Sequence, residues 1–413
     1  MSLPPSDRRR PAARPLRIAV VVQGRFHAFD MTRALLEAGH DVRLLTNYPR
    51  GWPARAGVPR ACVRSLLGHA VAARALHRIG RVVGRGQLGE AFLHRWFSAW
   101  AMRRLQREPV DVSHCFSGVA EDVMADRSQS QRLRSMLRGS SHIRVQRRIL
   151  DEEEQRTGRR VEKPSDWMVA REEREYAAAD LIVVLSQFAR RSFLDEGVPD
   201  AKLVLCPLGV EPRLFQARPE DVAARRARIL DARRKLVVLT VGSFSLRKGA
   251  FDYAALAERM GDRVEFVFRG DVGADAAWLR RRVGPAITFR GRVREDDLYE
   301  DYRAADLFFF PTLEDGYAAV LTQAAAAGLP ILATTNCGAA DFLTEGEDGW
   351  IVPIRRPDLA MDRLVWCERE REALAGVADR AARPRPARQW SARAGELVQA
   401  FRAALAATED SAA

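Results

Sequence analysis

Cysteine is scarce in this 413-residue chain, and its spacing fits neither disulfides nor a metal site. The five cysteines lie far apart, and no C-x-x-C pair occurs. An odd number of widely spaced cysteines argues against a disulfide framework, and the missing pairs argue against structural zinc. We therefore expect reduced thiols in the core and no bound metal.

Long apolar runs are missing as well. No stretch of about 18 apolar residues occurs, so the sequence predicts no membrane-spanning helix. Residues 1–16 are basic and rich in proline, and they lack the apolar segment of a signal peptide. From these two absences we expect a cytoplasmic protein with a flexible N-terminus.

Lysine is the third deficit. Only four of the 67 basic residues are lysine, although the formal net charge is +13. Such an arginine bias is typical of codon usage in a GC-rich genome, so the charge is weak evidence for nucleic-acid binding. The sequence also lacks the interleaved aromatic and basic residues of RNA-binding folds. We predict no nucleic-acid partner, and an anionic membrane or glycan suits the basic surface better.

The most informative stretch of the chain is 306–353. An apolar run at 307–310 predicts a buried strand, and residues 317–327 are almost all helix formers. A second apolar run at 331–334 predicts the next parallel strand. Strand, acidic glycine turn, helix and strand form one βαβ unit, whose ligand site should lie beyond the carboxyl end of the first strand.

The turn of this unit carries groups that suit a sugar nucleotide. Backbone N–H groups at the start of a helix favour an anion, and here they belong to Gly316, Tyr317, Ala318 and Ala319. Asp315 can accept hydrogen bonds from hydroxyl groups, and Gln323 returns to the same face of the helix. From this pattern alone, a core helix with acids at its N-terminus remains an equal alternative.

The same residues resemble the signature of glycosyltransferase family 4, P-S-x-x-E-G-F-G-(x)4-E-A-M-A-x-G-x-P-V. Counting back from Gly328 aligns Asp315 with the first glutamate of that pattern and Gln323 with the second. The resemblance implies a retaining enzyme of the GT-B fold, with two Rossmann-like α/β domains facing each other across a cleft. It implies a catalytic Asp315, and it places Gln323 against the ribose of the donor.

A second resemblance lies at 241–249, where the chain matches the family pattern V-G-R-x-x-x-x-K-G. It implies that Lys248 is the cation facing the donor diphosphate, and Ser243 replaces the arginine of the pattern. Arg247 is then the candidate for the second charge. Gly291 opens a G-x-V turn that in the family lies beside the nucleotide base.

The first half of the chain offers histidines. The loop after the strand predicted at 17–22 is not G-x-G-x-x-G, so we expect no dinucleotide cofactor. Family members use this loop near the acceptor and the donor phosphate, which implies roles for Gly24 and His27; packing of His27 at the domain edge is the alternative. A family histidine that faces the transferred sugar is implied at His142, although residues 130–138 predict only a poor strand.

Residues 63–105 mix arginines with apolar and aromatic side chains, including Trp96 and Trp100. This composition is typical of a helix at a membrane surface, and it is equally that of a helix packed on a sheet or a partner domain. We predict core packing, with peripheral contact at the inner face of a membrane as the alternative.

The resemblance spans residues 17 to about 405 and implies a domain plan. The segments are a basic N-terminus (1–16), a Rossmann-like acceptor domain (17–212), a Rossmann-like donor-nucleotide domain (213–385), and a C-terminal crossover helix with a tail (386–413).

The function implied is hexosyl transfer from a nucleotide-diphosphate sugar to a glycan, lipid-linked or small-molecule acceptor, as in polysaccharide biosynthesis. No strict Asp-x-Asp follows a strand in the first half, so we expect neither a metal nor another cofactor. Because Asp315 and Gln323 depart from the pattern, a catalytically impaired sugar-nucleotide-binding subunit is the alternative. An epimerase is disfavoured, since no acid–base set for a sugar C2 is apparent.

Overall fold

Two parallel sheets contain the apolar runs in the computed structural model, which describes residues 14–82, 87–129, 132–383 and 389–412. Within these residues the first sheet has the strand order β3-β2-β1-β4-β5-β6-β7. Its strands are β1 (Arg17–Val22), β2 (Asp41–Thr46), β3 (Val63–Ser65), β4 (Val112–Phe116), β5 (Leu133–Arg138), β6 (Leu181–Val184) and β7 (Leu203–Leu205).

The second sheet has the order β10-β9-β8-β11-β12-β13. Its strands are β8 (Leu236–Val241), β9 (Val264–Arg269), β10 (Ile287–Arg290), β11 (Leu307–Phe310), β12 (Ile331–Thr334) and β13 (Gly349–Val352). All recorded pairings are parallel, with Phe308 opposite Ile331, for example. The predicted α/β fold with two parallel sheets is confirmed.

Helices connect the strands and cover both faces of each sheet, as parallel sheets require. In the first half they are α1 (Ala28–Glu37), α2 (Gly51–Arg55), α3 (Leu67–Val82), α4 (Glu90–Arg107), α5 (Glu121–Ala125), α6 (Ile143–Thr157), α7 (Asp166–Ala178) and α8 (Gln187–Asp195). The others are α9 (Pro212–Phe215), α10 (Pro219–Leu230), α11 (Ala250–Met260), α12 (Ala277–Val283), α13 (Tyr299–Ala304), α14 (Ala319–Ala326), α15 (Pro357–Arg369), α16 (Arg371–Ala381) and α17 (Trp390–Ala412).

Strand β5 corrects one expectation, because 130–138 was predicted to be a poor strand. It lies between β4 and β6, and five of its six residues are buried. Its arginines are accommodated by distant carboxylates: Arg134 Nε donates to Asp180 Oδ2 at 2.8 Å, and Arg138 Nη1 donates to Glu172 Oε1 at 2.9 Å. Tertiary ion pairs thus override a weak local preference.

The C-terminal helix crosses back to the first half, as predicted. Leu397 and Phe401 of α17 are fully buried and belong to the same apolar cluster as Ile18 and Val20 of β1. The predicted domain boundary at 212–213 falls between β7 and β8 and stays a prediction. Residues 1–13 of the predicted N-terminal segment, and 384–388 around the start of the predicted crossover segment, lie outside the described residues.

Candidate active site

The turn at 311–318 joins β11 to α14 and forms the centre of the candidate site. The helix begins after Ala318, which adopts left-handed backbone angles of φ +65° and ψ +87°. Within the turn, the backbone N–H of Tyr317 donates to Asp315 Oδ1 at 3.2 Å. The N–H of Tyr317, just before the left-handed Ala318, is thus directed at the Asp315 carboxylate.

Lys248 reaches this turn from the end of β8. It closes a 3-10 turn that is followed by Gly249, with φ +75°. A Cβ on Gly249 would lie 1.9 Å from the carbonyl oxygen of Pro311, so only glycine permits this approach. The Lys248 ammonium forms an ion pair with the Asp315 carboxylate and lies 5.7 Å from the ring centroid of Phe310.

The charges in the turn shift one another. Burial lowers the pKa of the Lys248 ammonium, and the neighbouring Arg247 lowers it further against the opposing pull of Asp315. Burial alone would raise the pKa of Asp315, but Lys248 and Arg247 hold that pKa below its usual value. Asp315 is therefore ionised at neutral pH beside Lys248 and Arg247.

Glu314 connects the turn to the first half of the chain. Its side chain is fully buried, and Arg247 Nη1 donates to Glu314 Oε2 at 3.2 Å. From the first half, Ser141 donates to Oε1 through its backbone nitrogen at 2.8 Å and its hydroxyl at 2.9 Å. Gln146 Nε2 donates to Oε2 at 3.0 Å. The two halves are therefore in direct contact beside the predicted donor site.

Gln323 lies on α14 with both ends of its amide engaged. The Tyr302 hydroxyl donates to Gln323 Oε1 at 3.0 Å, and Gln323 Nε2 donates to Glu295 Oε1 at 3.2 Å. Burial raises the pKa of Glu295, and the nearby Asp30 of the first half adds to that rise. Glu295 thus supplies a carboxylate from another loop beside Gln323, the position at which the family pattern has its second glutamate.

The remaining residues predicted for the donor lie at the same edge of the second sheet. Ser243 follows β8 and is exposed, and Gly291 follows β10. The carbonyl oxygen of Gly291 accepts a hydrogen bond from Arg269 Nη1 at 3.0 Å, and a Cβ on Gly291 would meet no atom within 4 Å. Open space beside Gly291 is compatible with a flat ring, while its contact with a base stays a prediction.

The loop after β1 is built differently from the turn at 311–318. Gly24 has φ +115°, and its N–H donates to Asn47 Oδ1 at 2.9 Å. The His27 ring packs 5.1 Å from the Phe116 ring and 6.3 Å from the Trp390 ring. Burial holds the pKa of His27 well below its usual value, with help from Arg393. The His27 ring is therefore packed between aromatic side chains, and its role near the acceptor stays a prediction.

The ring of His142 lies in the core of the first half, although the neighbouring Ser141 contacts Glu314 of the turn at 311–318. Its ring lies between the rings of Tyr176 and Phe193, each 4.9 Å away, and only 4% of the residue is exposed. As the N-cap of α6, its Nδ1 accepts a hydrogen bond from the backbone N–H of Arg144 at 3.3 Å. Burial lowers the pKa of His142 to about 4. This packing disfavours the expectation that the ring faces the transferred sugar, and that expectation stays untested.

Two family models match the chain in succession. One described as Glycosyltransferase Family 4 matches residues 25–214, and one described as Glycosyl transferases group 1 matches residues 235–367. Together they cover both sheets. The chain belongs to glycosyltransferase family 4.

Curated relatives are enzymes that transfer sugars. A GDP-mannose-dependent alpha-(1-6)-phosphatidylinositol monomannoside mannosyltransferase of Mycobacterium tuberculosis is 27% identical over 217 residues, which are 49% of this chain and 56% of the relative. The D-inositol 3-phosphate glycosyltransferase of Stackebrandtia nassauensis is 27% identical over 257 residues, which are 56% of each chain. The match thus spans little more than half the length of these relatives.

Solved structures share the GT-B fold of this family 4 chain. Sucrose-phosphate synthase from Thermosynechococcus elongatus matches with a TM-score of 0.69 at 20% identity, covering 95% of this chain and all of that one. Anabaena HepE, in complex with UDP-glucose, matches with a TM-score of 0.66 at 13% identity, covering 94% of this chain and 100% of the other. These likenesses confirm the predicted fold.

The glycosyltransferase pattern explains one feature of the turn and misses two others. It has glycine where this chain has Ala318, in keeping with the left-handed backbone there. It does not reveal that Glu314 bridges the halves or that Glu295 meets Gln323. Among the described residues, no three His, Cys, Asp or Glu side chains lie together as a metal site.

Proposed function

We propose that this family 4 chain transfers a hexose, with retention of configuration, from a nucleotide-diphosphate sugar to an acceptor held by its first half. The observation that carries the proposal is the pair of cations, Arg247 and Lys248, at the donor turn beside Asp315. Two fixed positive charges next to a helix start are suited to a diphosphate.

The ion pair between Lys248 and Asp315 suggests how a donor is received. A diphosphate that reaches the turn offers Lys248 a stronger partner than a single carboxylate, so the pair separates. The Asp315 carboxylate is then available to accept hydrogen bonds from sugar hydroxyls. Both residues are therefore assigned to the donor, with Asp315 at the sugar.

In the proposed reaction, an acceptor hydroxyl attacks the anomeric carbon on the face from which the diphosphate departs. The bond between that carbon and the phosphate oxygen breaks, the new glycosidic bond forms, and the hydroxyl proton passes to the leaving phosphate. Lys248, Arg247 and the N–H groups of residues 316–319 stabilise the charge that develops on the phosphate. Such fixed groups contribute most when water is excluded.

We assign the ribose of the donor to the region beside Gln323 on α14. Gln323 and Glu295 together present an amide and a carboxylate, and the carboxylate is the stronger acceptor for a diol. Gly291 and Ser243 flank this region from the neighbouring loops, so we assign them to the base and the phosphate. Gly24 is kept as an acceptor-side loop residue, because it lies in the loop that follows the first strand of the opposite sheet.

A basic surface of the first half supports peripheral contact with an anionic membrane. Helix α3 has no acidic residue, and its exposed side chains include Leu67, Val71, Arg74 and Arg78. Phe92 of α4 adds an aromatic side chain that is 59% exposed, while Phe97 on the same helix is buried as predicted for core packing. Among the described residues, no helix is long and apolar enough to cross a membrane. Co-sedimentation with anionic but not neutral vesicles is expected, and equal binding to both would contradict it.

Binding of the donor is tested with a panel of sugar nucleotides that includes GDP-mannose and UDP-glucose. A donor at 100 times its Kd should stabilise the folded protein by about 2.7 kcal/mol. The Lys248→Met variant is the matched control, and it should lose most of that stabilisation. Equal stabilisation of wild type and variant would place the phosphate site elsewhere.

A further inference from the structure

Glu314 is a buried acid whose partners come from both halves of the molecule. Ser141 and Gln146 of the first half donate three hydrogen bonds to its carboxylate, and Arg247 of the second half donates a fourth. We propose that Glu314 is a positioning residue that holds the first half against the donor turn during transfer. This inference rests on the proposed function.

The orientation of Gln146 makes the contact specific. Arg138 Nη2 donates to Gln146 Oε1 at 2.7 Å, so the amide nitrogen is the end directed at Glu314. Arg138 is itself fixed by Glu172 at 2.9 Å. A continuous series of hydrogen bonds therefore leads from the core of the first half to the second half, in the order Glu172, Arg138, Gln146, Glu314 and Arg247. Each member satisfies the next, and a buried carboxylate requires such partners.

The backbone beside Glu314 confirms how closely the halves meet. A Cβ on Gly316 would lie 2.2 Å from the carbonyl oxygen of Gly139 and 2.8 Å from the Cα of Ser140. No side chain fits between these two loops while they remain in contact. By contrast, a Cβ on Gly139 would meet no atom within 4 Å. An alanine at 316 should therefore disrupt the contact between the two loops, whereas an alanine at 139 should not.

The position of Glu314 predicts which kinetic constant it controls. The groups assigned to the donor belong to the second half, so a nucleotide can bind without the first half. Transfer also needs the acceptor, which the first half supplies. Loss of the Glu314 contacts should therefore lower kcat and leave the Kd of the nucleotide unchanged. Because Arg247 would be released from Glu314, slightly tighter nucleotide binding is also consistent.

The Glu314→Gln variant tests this in the full-length protein. Its amide nitrogen would face Gln146 Nε2 and Arg247, which are both donors, so at least one contact is lost. We expect kcat to fall at least tenfold with GDP-mannose or UDP-glucose, while the Kd of GDP or UDP changes less than threefold. Hydrogen exchange of the Ser141 amide should accelerate, because that N–H donates to Glu314.

Two comparisons separate positioning from a general loss of stability. Asp252→Asn removes another ion pair between the halves, Arg156 to Asp252 at 2.7 Å, and should leave kcat and Ser141 exchange unchanged. Gly316→Ala forces the loops apart without touching Glu314 and should lower kcat while the Kd of GDP or UDP changes less than threefold, as in Glu314→Gln. Gly139→Ala should not.

The outcomes distinguish the inference from the function on which it rests. Equal kcat in wild type and Glu314→Gln, or a rise in nucleotide Kd that matches the fall in kcat/KM, would overturn the positioning role. Fast hydrogen exchange of the Ser141 amide in the wild-type protein would also overturn the positioning role, independently of the measured kcat. If the wild type turns over no donor while Ser141 is protected only when Glu314 is present, the contact stands and the proposed function fails.

Discussion

Replacing Lys248 by methionine removes one charge from the donor turn and keeps most of the side-chain volume. The ammonium is the partner of Asp315, and its side chain is 16% exposed. One electrostatic group facing a developing negative charge contributes about 3 kcal/mol to transition-state stabilisation. That energy corresponds to roughly a hundredfold in rate. We therefore expect kcat/KM to fall about a hundredfold.

The same substitution leaves Asp315 without its cation, so part of the effect is on stability. Both side chains retain some solvent access, and we expect a loss of about 1–2 kcal/mol rather than the larger value for a fully buried pair. The double variant Lys248→Met with Asp315→Asn should recover stability and remain inactive. Recovery of both stability and activity in the double variant would show that Lys248 contributes only to folding.

The assay is nucleotide release from the donor that stabilises the wild-type protein, with the melting temperature measured in parallel. Lys235→Met is the matched control, since that exposed lysine donates to the carbonyl oxygen of Gly261 at 3.0 Å, outside the turn. A well-folded Lys248→Met protein with unchanged kcat/KM would refute the assignment of the phosphate site.

Two further predictions concern Gln323 and His142. Gln323→Glu would place a second carboxylate about 3 Å from Glu295, so nucleotide affinity and melting temperature should both fall. The double variant Gln323→Glu with Glu295→Gln exchanges the two side chains and should restore both values. An unchanged affinity and melting temperature in the single variant would show that the two side chains are not in contact. Because burial holds the pKa of folded His142 at about 4, below its unfolded value of about 6.5, this residue should reduce stability as the pH falls from 6.5 towards 4, by about 2 kcal/mol at pH 5. His142→Asn keeps a helix cap. In urea denaturation, the variant should therefore lose about 2 kcal/mol less unfolding free energy than the wild type between pH 7 and pH 5, and its kcat at pH 7 should stay within about threefold of the wild-type value. A hundredfold loss of kcat would instead support the catalytic role implied by the sequence.

Local patterns in the sequence predict the sheets and the strand–turn–helix unit at 307–326. The strands on either side of the turn consist of apolar residues, and Lys248 and Asp315 each stand in a short motif of their own, 67 positions apart along the chain. Each of these features depends on neighbours within a few residues or on a short motif. A single sequence contains that information.

The contacts that were missed join residues far apart in the chain. Ser141 and Glu314 are 173 positions apart, and nothing near either residue indicates the other. Strand β5 was underrated for the same reason, because Asp180 and Glu172 supply the partners of its arginines. The packing of the His142 ring is not evident from the sequence, because a histidine after a strand can equally cap the next helix and turn its ring into the core.

Turnover of a sugar nucleotide tests the central claim most directly. Pure protein is incubated with GDP-mannose or UDP-glucose, and proton NMR follows the loss of the donor and the anomeric configuration of the sugar first released. The account predicts slow nucleotide release with retained configuration from at least one donor, and roughly a hundredfold less with Lys248→Met. Tight binding of a donor without any release of nucleotide would contradict it.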